Sequence, residues 1–145
     1  MTQIEVTASA VIAAPAAQLW ELVSDTSRNA EWVAGAAAVT RTDGPARQGS
    51  TYEEINPIIG PFRAKTRWTV IEFDPPRRQV HRSEDLPFAS ETQMILDLAP
   101  SGDGSKVTVT LRASGKRVLR VLQSQIRKDN ERSLRNLADL AARTF

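Results

Sequence analysis

The chain has one histidine, His81, and imidazole is the side chain whose ordinary pKa lies nearest neutrality. It stands in Arg78-Gln79-Val80-His81-Arg82-Ser83, a segment with strand spacing. Alternation puts it on one face with Gln79 and Ser83, opposite Val80, and that face is either inward or outward. A bulge would exchange the two faces, so the period leaves both open. Facing inward, His81 is a candidate general base; facing outward, it is a surface residue. Glu54 is the second candidate. Glu53 and Glu54 are neighbours on a strand, so their carboxylates point to opposite faces and cannot work as a pair. Glu54 shares its face with Tyr52 and Asn56. If that face is inward, Glu54 is a buried acid with a raised pKa; if not, it is solvated beside an edge tyrosine. No Gly-x-Ser-x-Gly elbow supports a serine triad, and no glycine-rich loop of phosphate-binding form is present. With no cysteine and one histidine, thiolate, iron–sulfur and multi-histidine metal sites are excluded. No metal ligand and no cofactor are expected.

Trp32, Phe62, Trp68, Phe88 and Met94 are the apolar side chains best suited to line a pocket. Thr66 and Thr92 share faces with Trp68 and Met94 and could supply placed polar groups, and Tyr52 joins them through the face of Glu54. Simple core packing is the competing reading for this set. Trp20, beside Leu19 and Val23, is assigned to core, whereas Trp32 and Phe88 adjoin loops and are expected at a cavity mouth.

These residues need elements to hold them. The chain has 145 residues and 16.0 kDa, enough for one domain, 1–145, with its own core. Residues 3–12 begin with the alternation of a strand, and Pro15 suits the start of a helix over 16–24. A short helical turn at 29–33 carries Trp32. Strands are predicted at 35–43, 50–56, 62–73, 77–84 and 90–98, with another from 107 to 113 after the Ser101-Gly102-Asp103-Gly104 turn. Residues 116–143 have no Pro or Gly and repeat Leu119, Leu122, Ile126, Leu134 and Leu137 at helical spacing, so all five are expected to be buried. At 1.5 Å per residue this helix is roughly 42 Å long and must cross the whole fold. Short connections imply antiparallel pairing, and the order of elements implies an α+β architecture, a curved sheet around one long helix. A curved sheet cannot touch a straight helix along its full length. A gap is expected in the half nearer Leu119, with Trp68, Met94, Leu119, Leu122 and Ile126 in its walls.

Net charge is +2, unevenly spread. Residues 1–60 hold three Arg against seven acids; residues 116–145 hold eight basic groups against three acids. The basic tail reads first as a solvated helix face. Arg63, Lys65 and Arg67 add to it, but no aromatics are interleaved among exposed bases, so no nucleic-acid partner is expected. No run approaches the roughly 18 apolar residues of a membrane span. Residues 1–17 carry no Lys or Arg ahead of their short apolar stretch, so no secretory signal is expected and the cytoplasm is the default location.

Several local patterns then converge. Ala14-Pro15 leads into Leu19-Trp20-Glu21-Leu22-Val23-Ser24-Asp25, and Glu31-Trp32 follows. Gly49 precedes a strand, Glu72-Phe73-Asp74-Pro75-Pro76-Arg77 joins two more, and Leu98-Ala99-Pro100 precedes Gly104-Ser105-Lys106-Val107-Thr108. With the terminal amphipathic helix, this order resembles the START-like (SRPBCC) superfamily, in its polyketide cyclase/dehydrase and lipid-transport branch. The resemblance spans the whole chain. It implies a helix-grip fold, a seven-stranded antiparallel sheet gripping the C-terminal helix, and an apolar cavity between them. The first expectation is binding of a small hydrophobic or aromatic, lipid- or polyketide-like molecule. The alternatives are a cyclase or dehydratase using the same cavity with His81 or Glu54 as its acid–base group, and a ligand-free co-regulator domain with a collapsed interior. A homodimer is one assembly such a chain could form.

Overall fold

The computed structural model describes residues 1–58 and 60–145. The chain opens with strand β1 (Thr2–Ile12), whose even residues Ile4 and Val6 turn inward. The Leu19 amide bonds the Pro15 carbonyl at 3.1 Å, and Pro15 sits just ahead of helix α1 (Ala16–Ser24), where its missing N–H costs nothing. A single 3-10 turn at Thr26–Arg28 leads into α2 (Asn29–Trp32). Six strands follow: β2 (Ala38–Thr42), β3 (Thr51–Pro57), β4 (Arg63–Asp74), β5 (Arg78–Ser83), β6 (Ala89–Ser101) and β7 (Gly104–Gly115). Helix α3 (Val118–Thr144) closes the chain. The seven strands form one antiparallel sheet in the order β1-β7-β6-β5-β4-β3-β2. This is the α+β helix-grip architecture. The β6–β7 turn works because Gly102 takes a positive φ of 57°, a conformation L side chains adopt at a cost.

β2 is shorter than the residues 35–43 predicted from sequence. Its first part is a turn in which the Gly35 carbonyl accepts from Asn56 Nδ2 at 2.7 Å, a contact between distant segments that local propensity does not encode.

The long helix is continuous, but its stripe is not uniformly buried. Leu119, Leu134 and Leu137 are buried, whereas Leu122 and Ile126 are half-buried, which corrects the expectation for those two. The reason lies on the stripe itself. Asn130 and Ser133 occupy stripe positions and are buried, held by Asn130 Nδ2 donating to the Val6 carbonyl (3.1 Å) and by the Ala34 amide donating to Ser133 Oγ (2.9 Å). The apolar core accordingly falls into two clusters. The larger gathers α1, α2, β6, β7 and the second half of α3 around Leu19, Trp32, Leu96 and Leu137. The smaller joins Ile4, Val6, Ala113 and Leu119, with Phe88, Leu111 and Ile126 against it.

Gly115 couples the end of the sheet to the loop before β6. It pairs with both Thr2 and Ala89, and the next residue's amide bonds the Phe88 carbonyl at 2.9 Å. A Cβ at this position would overlap the Phe88 carbonyl oxygen and come within 2.6 Å of Ala89 Cα. Both are backbone, so neither can turn away. Gly115→Ala is therefore expected to cost about 1–3 kcal/mol of stability, read by urea denaturation. An unchanged midpoint would show that the β6–β7 end gives way freely.

Candidate functional site

Between the sheet and the first two-thirds of α3 lies a cavity of about 190 Å³. Its sheet wall includes Trp68 from β4, Thr92 and Met94 from β6, and Leu111 and Ala113 from β7. The helix wall includes Leu119, Leu122 and Ile126. Phe88, with Leu86 and Pro87, enters from the β5–β6 loop, and Pro57 and Ile58 from the end of β3. Alternation places these residues together: on β4, β6 and β7 every second side chain faces α3. Glu54 and Asn56 bring polar groups into the sheet wall, and Gln125, Asp129, Asn130 and Ser133 do so from the helix.

Four aromatic and hydroxyl candidates lie elsewhere. Trp32 is 1% exposed and packed in the larger core cluster, so the expectation of a cavity mouth is corrected. The α2 turn rolls its indole under α3 instead of out toward the loop, and the Trp32 carbonyl accepts from Asn136 Nδ2 at 3.2 Å. Phe62 is 71% exposed, because it precedes β4 and the face that alternation assigns it has no sheet beneath it. Tyr52 and Thr66 do face inward but stand behind the wall, and hydrogen bonding holds each there. Ile59 lies outside the described residues.

Two hydrogen-bonded chains run through the sheet wall and behind it. In the first, Trp68 Nε1 donates to Thr66 Oγ1 (2.8 Å), and Thr66 Oγ1 donates to Asn56 Oδ1. Asn56 Nδ2 then donates to Glu54 Oε1 (3.0 Å). Pairing of β3 with β4 sets this geometry, since Glu54 lies opposite Thr66 and Tyr52 opposite Trp68. In the second, Gln79 Nε2 donates to Ser24 Oγ (3.1 Å), which leaves Gln79 Oε1 to accept from His81 Nε2 (2.7 Å). His81 therefore carries its proton on Nε2, and Nδ1 accepts from the Tyr52 hydroxyl at 2.7 Å. His81 reaches this position because Gln79, His81 and Ser83 turn inward; a bulge between Val70 and Glu72 on β4 shifts the register of β5 beside it.

Burial sets the charge of these groups. Desolvation holds the His81 imidazole down to about 4, so it is neutral at pH 7. Desolvation likewise pushes the Glu54 carboxyl up to about 7, against the opposing effect of the Asn56 and Asn29 side chains. Tyr52 is raised by burial and by the nearby Glu54 carboxyl. Tyr52, Glu54 and His81 meet at a void of about 10 Å³, shared with Asn29, Trp32 and Met94. Glu54 lines both this void and the larger cavity. Its Oε2 has no hydrogen-bond partner, and neither has Thr92 Oγ1. His81 has both ring nitrogens occupied and does not line the cavity.

The sequence reading missed the Trp68–Thr66–Asn56–Glu54 chain and the polar helix wall. Asn130 and Ser133 at stripe positions were the available signal, since a helix packed solidly on a sheet carries apolar residues there. Among the described residues no helix is long and apolar enough to cross a membrane.

A family model described as polyketide cyclase / dehydrase and lipid transport matches residues 3–142. The chain belongs to this family. No curated protein matches it. Solved structures share the fold at low identity. TTHA0849 from Thermus thermophilus is 17% identical with a TM-score of 0.81, covering 98% of this chain and 100% of that one. The di-domain ARO/CYC StfQ from the steffimycin biosynthetic pathway is 12% identical with a TM-score of 0.80; 97% of this chain covers 51% of StfQ, about half its length. Ara h 8.0201 is 8% identical with a TM-score of 0.75, over 99% of this chain and 100% of that one. At these identities the likeness is one of fold.

Proposed function

We propose that this family member binds a small hydrophobic or aromatic molecule in the cavity between the sheet and α3. The observation that carries the reading is a cavity of about 190 Å³ with mostly apolar walls and two unpartnered polar oxygens, Glu54 Oε2 and Thr92 Oγ1, on the side chains that line it. Ligand sites have this composition, mostly apolar with a few placed polar groups. The volume lies below the roughly 300–1,000 Å³ usual for ligand clefts and a little above the about 150 Å³ that takes benzene, which favours one or two rings. The reading takes residues 1–145 as one domain acting in the cytoplasm.

A cyclase or dehydratase activity is the second reading. Glu54, an acid near neutrality in the cavity wall, favours it, as does the family's description. His81 is the poorer candidate in either case, because its nitrogens are engaged and it stands behind the wall.

Titration with an environment-sensitive apolar dye is expected to give saturable binding to the folded protein and a change in tryptophan emission. Trp68→Ala should weaken dye binding about tenfold, equivalent to about 1.4 kcal/mol of lost contact. Trp20→Phe should leave it unchanged, since Trp20 packs against Phe73 at 5.2 Å and does not line the cavity. Binding confined to the acid or unfolded state would sink the ligand-binding reading and favour the co-regulator one.

A further inference from the structure

We propose that Glu54 is the polar subsite of the cavity and that, as a carboxylic acid, it donates a hydrogen bond to the carbonyl oxygen of a small cyclic ketone. The inference rests on the ligand-binding reading and names the chemistry the ligand must carry. It follows from which polar groups of the wall are already engaged. On the helix side, Gln125 Nε2 donates to Asp129 Oδ1 at 2.9 Å, Asn130 bonds the Val6 carbonyl, and Ser133 accepts from the Ala34 amide. On the sheet side, Asn56 gives both amide protons away, to Gly35 and Glu54, and accepts from Thr66. Among the described residues that line the cavity, Glu54 and Thr92 are the two with a buried oxygen that has no partner.

The hydrogen-bond chain also places the proton. Asn56 Nδ2 can only donate, so Glu54 Oε1 must accept and behaves as the carbonyl oxygen of the acid. The proton of the neutral carboxyl therefore sits on Oε2. No Lys or Arg lines the cavity or the void. The groups facing Glu54 are Thr66 on β4, Val39 on β2, Asn29 on α2, Tyr52 on its own strand, His81 on β5 and Asp129 on α3. Of these, His81 and Tyr52 are held neutral by burial at pH 7, and Asp129 is the one other carboxyl group. With no cation to pair with, burial favours the protonated acid. An O–H donor buried without an acceptor is costly, and a ligand carbonyl removes that cost where a hydrocarbon does not.

The test compares 1-tetralone with tetralin, two rings with and without the carbonyl, by calorimetric titration at pH 5.5 and pH 8.5. At pH 5.5 the ketone is expected to bind about tenfold more tightly than the hydrocarbon, and at pH 8.5 the preference should disappear as the carboxyl ionises. Glu54→Gln, whose amide still donates, should keep the preference at both pH values. Glu54→Leu should lose it at both while still binding tetralin. Equal affinity of the two probes for the unaltered protein at pH 5.5 overturns the subsite and leaves the ligand-binding reading standing. So does a ketone affinity that rises between pH 5.5 and pH 8.5. If neither probe binds, both readings fail.

Discussion

Trp32→Ala is expected to lower the unfolding free energy by about 3–5 kcal/mol, the largest loss from any one substitution considered for this chain. Trp32 is 1% exposed and belongs to the larger core cluster, between α1, α2 and the second half of α3. The neighbouring helices are tied to the sheet through other contacts and can close only part of the space an indole leaves. The unpartnered indole Nε1 offsets a fraction of the loss, because removing it also removes an unsatisfied donor. Leu137→Ala, at a fully buried position on α3, should cost about 2–5 kcal/mol by the same mechanism. Arg135→Ala, two residues earlier and exposed, should cost under about 0.5 kcal/mol. Urea denaturation of the three variants measures this directly. A Trp32 variant as stable as the Arg135 one would mean that the indole lies outside the core.

The second large effect is a dependence of stability on pH that the unaltered protein conceals. In the folded state His81 titrates at about 4, against an ordinary 6.5. The unfolded chain therefore takes up a proton near pH 6.5 that the folded chain refuses until about pH 4. The stability from a neutral His81 is complete above about pH 6.5 and is lost as pH falls toward 4. Glu54 acts in the opposite sense, titrating at about 7 when folded against an ordinary 4.5. Its contribution is complete below about pH 4.5 and is lost as pH rises toward 7. Between about pH 4.5 and 6.5 the two slopes are opposed and of similar size, each about 1.4 kcal/mol per pH unit. These two groups together should leave the stability of the unaltered protein nearly level there. Glu54→Gln removes one slope, so the stability of that variant should climb by about 3 kcal/mol across the window. His81→Gln removes the other, and its stability should fall with rising pH by a similar amount. Chemical denaturation at pH 4.5, 5.5 and 6.5 reads both trends. Level curves for both variants would show that water reaches these groups in the folded state.

Much of the fold was legible in the residues. Strand alternation at Phe62-Arg63-Ala64-Lys65-Thr66-Arg67-Trp68 placed Thr66 and Trp68 inward correctly, and the Pro- and Gly-free tail defined α3 within two residues at its start. Local periodicity reports which side of an element is apolar because both helix and strand repeat at fixed angles. The same logic failed at Phe62, one residue outside the strand, where a face has no meaning.

The sequence by itself determined the succession of helices and strands, the antiparallel pairing and the apolar stripe that ties α3 to the sheet, since these depend on short-range periodicity and connection length. It also singled out His81, the one histidine, and Glu54, on a strand face with Tyr52 and Asn56, as acid–base candidates. Only the tertiary structure decided what those two residues are. Register between β3 and β4 set Asn56 and Thr66 behind Glu54, and register between β4 and β5 turned His81 toward Tyr52. A one-residue slip in either pair would exchange the faces, and no local pattern encodes that choice. The charge of both groups then follows from desolvation, which depends on everything packed around them and on nothing in their own segments.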